Sequence, residues 1–187
     1  MSHLIDTEPI AAAGPHPAAS DVLLCRALPA DLPAVQRTVR AAFGHDMEAR
    51  LIARLQREGR VTASIVALRA GQVAGHAMLS RLELTAGGGA WPALALAPVA
   101  VAPELQGRGI GSALVRRCLD LAGPLLPVFV IGAPAFYGRF GFEDAAAHCV
   151  SSRFEVPVGH FMVWPGASRP RVSVARRLEY PVAFGGL

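Results

Sequence analysis

Apolar residues recur with two different periods along this chain, and these periods predict its first five elements. Apolar runs of strand length occupy 22–27, 64–69 and 73–84. Between the first two of these strands, apolar residues at helical spacing predict one helix that starts near Leu32 and a second helix over 46–57. A short glycine-containing turn joins the last two strands, which makes them antiparallel neighbours.

A loop and then a long buried strand are predicted in the middle of the chain. Three consecutive glycines within 85–90 indicate a flexible loop. Residues 91–101 are apolar throughout, which is typical of a strand that is covered on both faces. Pro98 lies inside this strand. Because proline removes a donor from the hydrogen-bond ladder, it predicts a bulge or a local separation of strands.

The second half of the chain continues with alternating helices and strands. Residues 109–122 are predicted to form a helix, 128–131 a short buried strand, and 134–140 a short helix that ends at Gly141. The remainder, 142–187, is rich in strand-forming residues. The order of elements predicts a mixed α/β domain with a helical crossover at its centre.

The chain ends carry less regular patterns. Residues 1–20 are rich in Ala, Pro and Gly and are predicted to be a flexible tail, which leaves 21–187 as a single domain. This start contains Asp6 and Glu8 and lacks the basic and apolar regions of a signal peptide, so a cytoplasmic location is expected. Since no run of about 18 apolar residues is free of proline, glycine and charge, no membrane span is expected.

Composition narrows the chemistry, because all 18 basic residues are arginine and lysine is absent. A phosphate loop of the Walker type and a Schiff-base mechanism both need lysine, so both are excluded. The arginines are scattered and aromatic residues are few, so no nucleic-acid partner is expected. The three cysteines are far apart in the sequence and form no metal-binding or disulfide pattern.

Alternating glycines mark the predicted transition into the helix at 109–122. Gly107, Gly109 and Gly111 bring bare backbone to a helix N-terminus, whose free N–H groups and partial positive charge attract phosphate. Arg108 and Ser112 add a charge and a hydroxyl. The spacing does not fit the dinucleotide motif GxGxxG. On spacing alone, a pyrophosphate site and a glycine-rich turn without a ligand both remain open.

The glycine run forms part of a longer segment that resembles a known family. Residues 99–114 resemble the acetyl-CoA motif of the GCN5-related N-acetyltransferase (GNAT) superfamily, Gln/Arg-x-x-Gly-x-Gly/Ala after a strand that ends in Val-x-Pro. Residues 135–142 resemble the Phe-Tyr-x-x-x-Gly-Phe segment of the same family. Over about 20–165 the order of elements also matches. The resemblance implies a mixed, mostly antiparallel central sheet with a splayed parallel strand pair and flanking helices.

Residues 132–134 and 180–184 are similar to those of a bacterial group, the predicted acetyltransferases of the YhbS type. The resemblance implies that acetyl-CoA is the acyl donor and that no metal takes part. The donor-binding residues that it implies are Val99, Ala100, Val101, Gln106, Gly107, Arg108, Gly109, Ile110, Gly111, Ser112 and Phe136.

The resemblance also implies roles for catalytic side chains. Tyr137 takes the position of the acid that serves the departing thiolate. Many relatives carry a glutamate base on the central strand, but 91–101 contains no acidic residue, so Glu83 and His76 on the preceding strand are the candidates. Glu48 is a candidate contact to the acceptor. The family often has an asparagine where this chain has Gly132.

Together these features predict an N-acetyltransferase in which a primary amine attacks acetyl-CoA directly in a ternary complex. Two alternatives remain open, a non-catalytic acyl-CoA-binding module and a nucleotide-binding α/β domain. The acceptor amine is not readable from the sequence. The apolar run at 180–187 packs either on its own domain or on a second copy of the chain, so a homodimer is also open.

Overall fold

A computed structural model of the chain describes residues 21–166 and 175–185, which hold nine strands and four α-helices. The strands are β1 (Val22–Arg26), β2 (Val61–Arg69), β3 (Gln72–Ala86), β4 (Gly89–Val101), β5 (Val128–Ile131), β6 (Glu143–Asp144), β7 (Val150–Ser151), β8 (Phe161–Trp164) and β9 (Arg176–Glu179). The helices are α1 (Leu32–Phe43), α2 (Met47–Arg57), α3 (Ile110–Ala122) and α4 (Pro134–Tyr137). The predicted tail over 1–20 lies outside these residues.

One twisted sheet contains all nine strands, and its main path runs β1-β2-β3-β4-β5-β8-β6. The first four strands form an antiparallel meander, and β5 then joins β4 in parallel after the α3 crossover. β9 pairs with the far end of β3 and with β7. The predicted mixed, mostly antiparallel sheet is therefore confirmed.

Helices cover both faces of this sheet, which explains why β3 and β4 are apolar on both sides. On one face, α1 and α2 pack their buried residues Val39, Ile52 and Leu55 against the sheet. On the other face, α3 contributes Leu114 and Cys118 to a second, separate core. The crossover thus places the start of α3 on the opposite side of the sheet from the first two helices.

The hairpin between β3 and β4 differs from the prediction of a flexible loop over 85–90. The two strands continue to Ala86 and Gly89, which pair with each other, and only Gly87 and Gly88 form the turn. Both turn glycines have positive φ angles, +54° and +82°, which fit a tight two-residue hairpin turn. The prediction that 91–101 is covered on both faces does not hold at the start of this segment, because Trp91 in the hairpin is 51% exposed.

Other predicted elements are confirmed. The short strand at 128–131 has the predicted bounds, and the helix near 134–140 is a turn of α-helix followed by a turn of 3-10 helix. The pairing of β3 with β4 shifts register opposite Pro98, as its position inside a strand predicts. Of the C-terminal run, Ala183 and Phe184 are buried in this chain's own core. No described helix is long and apolar enough to cross a membrane.

Candidate active site

The parallel neighbours β4 and β5 separate after a very short contact. They pair at Leu94 with Val128 and at Ala95 with Phe129, and beyond these positions no further ladder pair joins them. β4 nevertheless continues to Val101 and β5 to Ile131. The predicted splayed strand pair is therefore confirmed, and the edge of β4 that faces the gap is available to an extended ligand.

The start of α3 lies at the mouth of this gap. Gly107 and Gly109 have φ angles of +73° and +83°, a left-handed conformation that glycine adopts without strain. The helix then begins at Ile110 without a side-chain cap, so the N–H groups of its first turn have no partner within the helix. Gln106 holds this turn to the strand, because its Nε2 donates a hydrogen bond of 3.1 Å to the carbonyl of Val101.

A cavity of about 990 Å³ connects the helix start with the gap between the strands. Most of the residues that were predicted to bind the donor line it, namely Val99, Val101, Gln106, Gly107, Gly109, Ile110, Gly111, Ser112 and Phe136. Tyr137 lines the same cavity. The structure therefore brings the two sequence motifs together around one space.

This cavity crosses the sheet. Val99, Val101 and Tyr137 pack against the core on the α3 face, whereas Ala97 and Tyr180 pack against the core on the α1 and α2 face. A ligand that enters at α3 can pass between the diverging strands and reach the opposite face. The two faces thus offer two binding regions that meet at the gap.

Tyr137 lines the cavity on the α3 face and has a tightly packed ring. The ring makes edge-to-face contacts with Phe136 and Phe142, with centroids 4.9 and 5.6 Å apart. Below the ring, a Cβ atom added to Gly132 would stand 2.3 Å from Cε2 of Tyr137, so the ring occupies the space of a side chain. Burial raises the pKa of the Tyr137 hydroxyl to about 12, which keeps it protonated at neutral pH.

Four of the residues singled out in the sequence lie outside the cavity lining. The side chain of Ala100 is buried in the core on the α1 and α2 face. Arg108 is exposed. Glu83 is exposed on β3, opposite Pro92 and Glu179 of its neighbouring strands. His76 is fully buried in β3, where its Nε2 lies 2.8 Å from the hydroxyl of Ser64 and burial lowers its pKa to about 4.

On the α1 and α2 face, the cavity is lined by residues that lie outside the two motifs at 99–114 and 135–142. They include Phe43, Glu48, Leu51, Arg153, Phe154, Glu155, Tyr180 and Phe184. Among them only Glu48 was a candidate from the sequence. The others come from chain segments far apart in sequence, and only tertiary packing brings them together. Within 21–166 and 175–185, no group of three or more His, Cys, Asp or Glu side chains is placed to hold a metal ion.

Comparison with known proteins points to the same family as the two motifs that line the cavity. A family model described as an acetyltransferase (GNAT) domain matches residues 26–145. The chain is 33% identical over 160 residues to the uncharacterised N-acetyltransferase YhbS of Escherichia coli K12, which covers 84% of this chain and 95% of YhbS. It is also 33% identical over 129 residues to the uncharacterised N-acetyltransferase YjhQ of the same organism, covering 66% and 71% of the two chains.

Two solved structures are similar along most of the chain. The E. coli YhbS protein in complex with CoA superposes with a TM-score of 0.77 at 30% identity, over 88% of this chain and 92% of that one. A GNAT family acetyltransferase from Brucella melitensis in complex with acetyl-CoA superposes with a TM-score of 0.68 at 27% identity, over 87% and 97% of the two chains.

Proposed function

This chain belongs to the GNAT acetyltransferase family, and on that basis we propose that it transfers an acetyl group from acetyl-CoA to a primary amine within a ternary complex. The observation that carries the proposal is the cavity that passes through the sheet between β4 and β5. Similar proteins with this fold bind CoA and acetyl-CoA. A cavity with one region on each face lets donor and acceptor bind together and react at the gap.

On the α3 face, the helix start suits the pyrophosphate of the donor. The free N–H groups of the first turn and the helix dipole both favour a doubly charged anion. The pantetheine arm then lies along the free edge of β4, where the backbone from Val99 to Val101 offers hydrogen-bonding groups. A backbone N–H near Val99 serves the thioester carbonyl oxygen, on which negative charge develops in the reaction.

The reaction forms a C–N bond between the acceptor nitrogen and the thioester carbonyl carbon and breaks the C–S bond of the donor. The acceptor ammonium loses two protons in all, one before attack and one after it. The CoA thiolate takes up one proton, so one proton is released to solvent. The amine must bind within reach of the gap and must meet a group that accepts its first proton.

The role of Tyr137 follows from its pKa of about 12. An ordinary thiol has a pKa of about 8.5, so complete proton transfer from the phenol to the thiolate is uphill by about 5 kcal/mol. We therefore assign to the Tyr137 hydroxyl a hydrogen bond that stabilises the departing thiolate, with the proton supplied through this bond or from water. A hydrogen bond to a charged group contributes about 1.5–3 kcal/mol.

Replacing this hydroxyl tests the assignment. Tyr137→Phe keeps the ring and its packing, so we expect kcat to fall roughly 10- to 100-fold while acetyl-CoA still raises the melting temperature as in the wild type. Release of free CoA in the presence of a primary amine measures kcat, and thermal denaturation measures donor binding. Unchanged kcat in Tyr137→Phe would remove the hydroxyl from the mechanism.

The same two measurements test the proposed function as a whole. Acetyl-CoA should raise the melting temperature, and CoA should be released only when an amine is present. Stabilisation without release from any amine supports the alternative of a non-catalytic acyl-CoA-binding module. A melting temperature that acetyl-CoA does not change contradicts the proposal altogether.

A further inference from the structure

Glu48 is the more buried of the two carboxylates that line the cavity on the α1 and α2 face. It lies in the first turn of α2, and its side chain is only 14% exposed. Its Oε2 atom is buried and has no hydrogen bond to any described residue, although His45 Nδ1 lies 3.0 Å away. The partly exposed ring of His45 is therefore the nearest described partner of this carboxylate, and a ligand that brings a cationic donor into the cavity gains an ion pair with a carboxylate that is largely shielded from water.

An aromatic surface lines the same region. Phe154 and Tyr180 contact edge to face with centroids 4.7 Å apart, and Tyr180 and Phe184 contact in the same way at 5.0 Å. Leu51 and Phe43 line the cavity as well. A rigid apolar surface of this kind favours a ligand with a ring or a branched aliphatic body, which it removes from water.

The remaining charges in this region lie at its surface. Arg153 and Glu155 are both exposed, and the Arg153 guanidinium lies 5.1 Å from the ring centre of Phe154. They offer one positive and one negative group in contact with water, whereas Glu48 is the carboxylate in the buried part. A ligand with one ammonium group and an apolar body satisfies this arrangement. A second ammonium meets only the exposed carboxylate of Glu155 in this lining, and several hydroxyls would have to be desolvated against the aromatic surface.

We infer that the acceptor is a primary monoamine with an apolar, ring-sized body, and that Glu48 binds its ammonium group and accepts its first proton. This inference rests on the proposed acetyl transfer. The proton leaves the ammonium for the Glu48 carboxylate, and the freed nitrogen lone pair forms the C–N bond as the C–S bond breaks. The second proton of the nitrogen passes to water, and the thiolate is stabilised by Tyr137 and takes up its own proton.

A panel of amines tests the acceptor class on the wild-type protein. Phenethylamine and isoamylamine represent the proposed class, and spermidine and glucosamine represent polycationic and hydroxylated amines. With saturating acetyl-CoA, we expect kcat/KM from CoA release to be at least about tenfold higher for phenethylamine than for spermidine or glucosamine. A higher kcat/KM for spermidine or glucosamine overturns the inference but leaves the proposed acetyl transfer intact. Absence of CoA release with every amine overturns both.

Substitution of Glu48 tests its role separately. Glu48→Gln removes the charge and the proton acceptor, so we expect kcat/KM for phenethylamine to fall roughly 30-fold or more with unchanged stabilisation by acetyl-CoA. Glu48→Asp retains a carboxylate and should lose less. Glu58→Gln is the matched control, because Glu58 follows the same helix, is exposed, and does not line the cavity. Equal kcat/KM in Glu48→Gln and Glu58→Gln overturns the role of Glu48, and the wild-type panel remains decisive if Glu48→Gln folds poorly.

Discussion

The ring of Tyr137 lies against the backbone of Gly132, in space that any side chain at that position would occupy. Because Gly132 has no side chain, the ring of Tyr137 can occupy this space and line the cavity. Gly132 therefore positions the hydroxyl of Tyr137 without contacting either substrate through a side chain of its own.

Adding one methyl group should reveal this positioning. In Gly132→Ala, the new Cβ would stand 2.3 Å from Tyr137 Cε2, so the ring must move. We expect kcat to fall about tenfold or more, because displacements near 1 Å at a reacting group cost up to about 100-fold in rate. Steady-state kinetics with an amine acceptor measure the effect. Gly138→Ala is the control, since a Cβ there meets nothing within 4 Å and its φ of −56° is helical. Equal kcat in the two variants would refute the idea.

At this level, the sequence identifies most of the residues that line the cavity on the α3 face, but on the α1 and α2 face it identifies only Glu48. The motif residues from Gln106 to Ser112 and the Phe136-Tyr137 pair are contiguous in the chain, so local spacing is enough to identify them. The base candidates Glu83 and His76 both lie on β3, and neither of them lines the cavity. The residues around Glu48 come from distant segments that share no local pattern.

Among the strands and helices, the close approach of α3 to β3 depends on Gly75. A Cβ at this position would lie 2.9 Å from the carbonyl oxygen of Ala100 and 3.0 Å from Cδ1 of Leu114. The absent side chain lets the helix pack closely against the sheet. Because α3 carries the glycine turn at its start, this packing also fixes the distance between that turn and β4.

Gly75→Ala should loosen this packing. Forcing a methyl group into a well-packed contact costs typically 1–3 kcal/mol, so we expect the free energy of unfolding to fall by about that amount. Chemical denaturation with urea measures it, with Gly138→Ala again as the surface control. If α3 moves outward, acetyl-CoA should also stabilise the variant less than it stabilises the wild type. A free energy of unfolding equal to that of the control would show that the contact adapts without cost.

The elements themselves were largely predictable, and the exceptions have physical reasons. β5 and the helical turn at Pro134 are bounded by proline and glycine, which mark ends clearly. The glycines near Gly87 predict a flexible loop, but in the structure they form a tight hairpin turn. Such a turn requires the positive φ angles that glycine adopts. The strands after Phe142 are two to four residues long, and their pairing depends on contacts far away in sequence.

The free energy of unfolding of the whole domain should depend on pH through one buried imidazole, that of His76. His76 is fully buried with its Nδ1 atom unpartnered among the described residues, and burial lowers its pKa from 6.5 to about 4. Below pH 6.5, the unfolded chain therefore binds a proton that the folded chain does not. The contribution of His76 to the free energy of unfolding is therefore fully present above about pH 6.5. It is lost as the pH falls toward 4, by an amount on the order of 3 kcal/mol.

Urea denaturation at several pH values between 7 and 4 checks this expectation. The free energy of unfolding should decrease with falling pH, and His76→Gln should reduce the slope because the titrating group is gone. His160→Gln serves as the comparison, because it changes a half-buried imidazole outside the core. The same slope in His76→Gln and in the wild type would assign the acid sensitivity to other groups.

The separation of β4 from β5 has a consequence for the abundance of the protein in its cell. A sheet that opens in its interior gives up backbone hydrogen bonds that a complete sheet would have, and in the proposed function the acyl donor supplies them. A donor that binds only the folded chain stabilises it by RT ln(1 + [L]/Kd), about 2.7 kcal/mol at 100 times Kd. When the donor is depleted, more chains unfold transiently and become open to proteolysis. The abundance of this protein should then follow the supply of its own substrate.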